Sequence, residues 1–171
     1  MTERSGGQPS WYRVVSVRRR TKREVLRSGG GRFHEDPESE PTTYLADSVQ
    51  TAWLEVTAHV GEARANMRAF AAWRIVLPKG VTERLVDLRG RDRQEGYDIT
   101  QAELEVDPPP ESLKILARRL RKETKAGIIY RSVRNRPNGV CVAVFLEGVE
   151  AELRVKSARD EWEGFIRGEG Q

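Results

Sequence analysis

Cysteine is nearly missing: Cys141 is the only one among 171 residues. That excludes an intrachain disulfide framework and a cysteine zinc cluster, which need several thiols. Set between valines, Cys141 reads as a small buried apolar residue. Histidine is almost as scarce, with only His34 and His59. Neither sits at a familiar metal-ligand spacing, so no metal is expected. No apolar run approaches a membrane span. Met1 to Pro9 lacks an apolar signal core, and residues 1–10 read as a disordered leader. The expectation is a cytoplasmic protein with no membrane association. A Walker loop, a Rossmann glycine fingerprint and a Gly-x-Ser-x-Gly elbow are also missing.

What is present is charge. Charged residues make up 33% and hydrophobic ones 37%, which is polar but too apolar for a fully disordered chain. The length suits a single domain, read as residues 11–171, with a modest core. Thirty Lys and Arg face 26 Asp and Glu, for a net charge of only +4. Between Arg13 and Arg27 there are seven basic residues and one acid, Glu24. Such a run is either a solvated arm or a binder of polyphosphate or nucleic acid. Aromatic residues are not interleaved with it, as single-strand binders usually require.

The pattern of elements is mixed α/β. Trp11–Val17, Thr42–Leu45, Phe70–Leu77, Arg84–Leu88, Gly127–Tyr130 and Val140–Leu146 read as strands. Val149, Ala151, Leu153 and Val155 alternate with charged residues, predicting one more strand with a wet face. A helix capped by Asp47 or Ser48 ends at Gly61. A second follows Pro108-Pro109-Pro110, and a short one begins near Ala158. Arg89–Gly96 reads as a charged loop.

Three residues recur at steps of 12 and 11: Arg32, Tyr44 and Glu55. Arg32 follows three glycines. Glycine lets backbone approach a bulky anion, and a guanidinium grips phosphate oxygens in a fork. Tyr44, just before a helix, suits a stacking face or a core position. Glu55 lies at the edge of the apolar stripe of its helix, where a half-buried carboxylate needs a partner. Ser132 follows a buried-looking strand, and is either a turn serine or a hydroxyl that bonds a ligand or orients Glu55.

These pieces, taken in order from Trp11 to Phe145, resemble the RES-domain family, named for an arginine, a glutamate and a serine. They are Tyr12-Arg13-Val14, Gly30-Gly31-Arg32-Phe33, Thr43-Tyr44-Leu45-Ala46, Ala52-Trp53-Leu54-Glu55 and Gly127–Arg134. The resemblance implies an ADP-ribosyltransferase-like core around an NAD cleft. It also implies a bacterial toxin that breaks the nicotinamide–ribose bond of NAD, its substrate, and a helical antitoxin partner that carries a DNA-binding domain. It places Arg32, Glu55 and Ser132 in the catalytic positions. Arg13, Arg32, Tyr44 and Ser132 fall in NAD-binding ones. Phe33 and His34 stand where the family commonly has tryptophan and asparagine. The long gap between Glu55 and Ser132 predicts an enlarged loop within 89–110. A homodimer or a toxin–antitoxin hetero-oligomer is compatible with this reading, which expects no direct nucleic-acid binding. The alternatives are a basic nucleic-acid-binding module and a ribonuclease-type toxin using His34 or His59 as general base.

Overall fold

β-Branched and aromatic residues fit a pleated, half-buried surface, and the stretches rich in them pair into one sheet. In the computed structural model, which describes residues 9–61 and 66–169, its strands are β1 (Trp11–Ser16), β2 (Thr42–Ala46), β3 (Phe70–Val76), β4 (Leu85–Asp87), β5 (Gly127–Arg131), β6 (Val140–Phe145) and β7 (Arg154–Ser157). The helices are α1 (Lys22–Leu26), α2 (Val49–Val60), α3 (Lys79–Thr82), α4 (Arg91–Gly96), α5 (Gln101–Glu105), α6 (Glu111–Lys122) and α7 (Arg159–Ile166). The expected disordered leader lies, up to residue 8, outside the described residues. None of the described helices is long and apolar enough to cross a membrane.

The strand order is β4-β5-β6-β2-β1-β3-β7. Only β4 and β5 run parallel, so the sheet is mixed, as the α/β reading expects. Side chains alternate between faces along a strand. In β6, Cys141, Ala143 and Phe145 join one apolar layer, while Val142 and Val144 join the other. The first layer is completed by residues of α2, α5, α6 and α7, the second by Leu26, Val81 and the chain around Val149 and Leu153. In α6 the buried residues Leu113, Leu116, Ala117 and Leu120 follow the 3.6-residue period. Its last turn carries Arg119, Arg121 and Lys122, which complements the carbonyl end of the helix.

Three expectations need correction. The strand expected from Val149 begins only at Arg154. Leu146 O accepts from both Val149 N and Glu150 N, and Val149 O accepts from Glu152 N. The alternation there comes from consecutive turns that tuck Val149 and Leu153 inward. The segment 89–110 is not a loop but holds α4 and α5, with Ile99 and Leu104 in the core. The buried Gln94 side chain ties the segment down by donating to Leu88 O at 2.8 Å and to Gln101 Oε1 at 2.7 Å. The basic run is no free arm. It contains α1, with Val25 and Leu26 fully buried, and Thr21 and Glu24 form a capping box.

Candidate active site

Register builds the floor of a cavity. Tyr130 pairs with Cys141, Cys141 with Ala46, and Ala46 with Tyr12, which sets one row across β5, β6, β2 and β1. Directly opposed residues share a face. Two small side chains in the middle of the row and a tyrosine at each end leave a recess. All four residues line a cavity of about 560 Å³, within the roughly 300–1,000 Å³ usual for small-molecule sites. Its walls come from α2, the glycine loop 28–32 and the segment around Asp107 and Pro109.

The cavity brings together Arg13, Arg32, Tyr44 and Glu55. Arg13, on β1, donates from Nη1 to Tyr44 O at 2.9 Å and from Nη2 to Ser28 Oγ at 2.9 Å. It therefore fastens the glycine loop to β2. Its partners are a hydroxyl and carbonyls, and no carboxylate pairs with it among the described residues. Burial, and next the nearby Arg19, pull its pKa down to about 10. A bound anion would relieve both effects.

Arg19 also lines the cavity, donating to Glu24 O and Arg27 O at 3.2 and 2.9 Å. Nothing in the sequence separates it from its neighbours Arg18 and Arg20. Arg32 donates to Val106 O at 2.9 Å, so the segment after α5 holds it. Asp107, in the same segment, pairs with Arg134 at 2.6 Å, and both line the cavity. Arg13, Arg19 and Arg32 thus line the cavity with the glycine loop, and no carboxylate is paired to them among the described residues.

Tyr44 is held from below. Its hydroxyl accepts from Phe33 N at 3.0 Å and contacts His34 Nδ1 at 2.8 Å. His34 Nε2 lies 3.4 Å from Ser28 O. The network fits a neutral imidazole protonated at Nε2, with Tyr44 donating to Nδ1. Burial holds the His34 pKa below its ordinary value, and burial likewise raises that of Tyr44. A Cβ on Gly31 would sit 2.5 Å from the Tyr44 ring, so only glycine lets the loop lie on it. His34 is sealed, with both ring nitrogens occupied, and His59 stands exposed at the cavity edge.

Glu55 projects from the second half of α2, which Ser48 starts by accepting from Thr51 N. Ser132 Oγ donates to Glu55 Oε1 at 2.6 Å. The same Oγ accepts from Arg134 N and Asn135 N at 3.2 and 3.0 Å. Both acceptor sites are taken, so the hydroxyl proton is directed at Glu55. Cys141 Sγ approaches the same carboxylate oxygen at 3.8 Å. Ser132 is 2% exposed and stands behind Glu55, not on the cavity wall. Its bonding capacity is spent on Glu55 and its own turn. Tyr130 and Cys141 escaped notice because a tyrosine and a cysteine in apolar strands read as core.

The RES domain family model matches residues 9–163. The chain belongs to the RES-domain family. The fold is also that of a chain in the crystal structure of the M. tuberculosis MbcT–MbcA toxin–antitoxin complex. The TM-score is 0.67 at 17% sequence identity, over 93% of this chain and 88% of that one. No curated protein matches the chain. Arg32 and Glu55, for which the resemblance implied the arginine and glutamate positions, both line the cavity, and Ser132, for which it implied the serine position, donates to Glu55. Among the described residues no cluster of three or more His, Cys, Asp or Glu is placed to hold a metal ion.

Proposed function

We propose that this RES protein is the toxin of a toxin–antitoxin pair and destroys NAD by breaking its nicotinamide–ribose bond. The observation that carries the reading is one cavity lined both by guanidiniums that pair with no carboxylate among the described residues and by a braced carboxylate. A dinucleotide supplies what each part lacks. Its pyrophosphate suits Arg13, Arg19 and Arg32, none of which forms a salt bridge among the described residues. A flat ring suits the face of Tyr44, which the glycine loop and His34 hold in one orientation.

In the reaction the bond between the ribose carbon and the nicotinamide nitrogen breaks. The electron pair leaves with nicotinamide, and positive charge develops on the ribose, as in other oxocarbenium-like reactions. Glu55 stabilises that charge and takes a hydrogen bond from a ribose hydroxyl. Ser132 fixes the carboxylate so that it need not reorient as charge develops. Water, phosphate or a protein side chain then bonds to the ribose carbon. The RES family membership and the fold shared with a toxin–antitoxin complex support the toxin role and an antitoxin partner.

The test is incubation of the purified protein with NAD, with and without phosphate, and identification of every product by mass. Free nicotinamide should appear, and the mass of the ADP-ribose product names the acceptor. Glu55→Gln should lower turnover by roughly 100-fold or more, the scale of losing a main transition-state electrostatic contact. Undiminished turnover by that variant would remove Glu55 from the chemistry.

A further inference from the structure

Tyr130 is 6% exposed, yet no hydrogen bond reaches its hydroxyl among the described residues. The hydroxyl is not among the fully buried polar atoms that lack a partner, so it is open to the cavity that Tyr130 lines. The ring is fixed edge-on against Phe33, with centroids 5.1 Å apart and planes at 67°. It ends the floor row beside Cys141, whose thiol reaches the Glu55 carboxylate. The charged and titratable groups around the phenol are Cys141, Glu55, Tyr44 and Arg32, all on the cavity wall. Burial keeps it protonated by raising its pKa well above the ordinary value. A neutral hydroxyl with no hydrogen bond to the described residues therefore opens onto the cavity that Glu55 also lines.

We propose that Tyr130 is a further substrate-binding residue, hydrogen-bonded to one hydroxyl of the nicotinamide-bearing ribose, next to the hydroxyl that Glu55 holds. This rests on the NAD reading above. A vicinal diol presents two hydroxyls side by side, and each can donate or accept. A carboxylate accepts a hydrogen bond from one, and a phenol can donate to or accept from the other. A planar base would need a slot between ring faces, whereas the Tyr130 ring meets Phe33 edge-on.

Tyr130→Phe keeps the ring and its Phe33 contact and removes only the oxygen. Its kcat/KM for NAD should fall roughly 10-fold, the usual loss for one hydrogen bond between uncharged groups. The decisive arm repeats the comparison on two NAD analogues, lacking either the 2′- or the 3′-hydroxyl of the nicotinamide-bearing ribose. With one of them the variant and the parent protein should turn over at equal rates. An equal penalty on NAD and on both analogues would mean that the phenol acts through packing, and overturns the proposal. No penalty on NAD overturns it as well. A parent protein inert toward NAD overturns the NAD reading and this assignment together, and is told apart by failing before any variant is compared.

Discussion

Ser132 and Glu55 behave as one unit because the serine oxygen has no freedom left. Two backbone N–H groups occupy its acceptor sites and its proton is committed to Glu55 Oε1. Ser132→Ala should leave those two N–H groups without their partner in a part-buried turn and cost about 1 kcal/mol of stability. It should also lower kcat for NAD roughly 10-fold while changing KM less, since the carboxylate stays in the cavity but loses its brace. Denaturant midpoints and steady-state kinetics check the two parts separately. A variant with normal kcat and lowered stability would reduce Ser132 to a turn residue. Arg13 is the reverse case, a cation whose hydrogen bonds serve the fold while its charge serves the site. Its N–H groups hold the glycine loop, and the burial that pulls its pKa to about 10 leaves a charge that favours a bound anion.

At the level of elements, the site depends on the pairing of β5, β6 and β2. Gly127 opens β5 where a Cβ would stand 2.1 Å from Ala143 O of β6. Gly127→Ala must push those strands apart and should destabilise the protein by about 1–3 kcal/mol or more, the range for overpacking a close contact. It should also lower NAD turnover by shifting the Tyr130–Cys141 pair. Thermal melts with turnover measured below the transition test this, and an unchanged melt would contradict it. Strong periodicity made many of these elements legible in the sequence. The Ser48 cap, the Gly61 stop, the inner face of α6 and the strand at Val140 all lie where spacing puts them. The short α4 and α5 were hidden because each is too brief to show a helical period and much of each is charged. Arg32, Tyr44 and Glu55 could be singled out by residue type and spacing. The cross-strand row could not, because register depends on pairings between strands distant in sequence.

For the molecule as a whole, His34 links stability to pH. Buried and neutral, it has a pKa below the ordinary 6.5. Below pH 6.5 the unfolded chain therefore binds a proton that the folded protein refuses, so stability falls as pH drops through that window and is fully present above it. The melting temperature should decline from about pH 6.5 towards 5. His34→Asn should flatten that slope even if its absolute Tm is lower. Identical slopes for the two proteins would clear His34 of the effect. At the two ends of the sheet lie its shortest strands, β4 with three residues and β7 with four. Asp87, Arg154 and Lys156 put charge on both. A short, charged border gives an incoming strand from another molecule little backbone to zip onto. Such a border works against stacking into fibrils at high concentration.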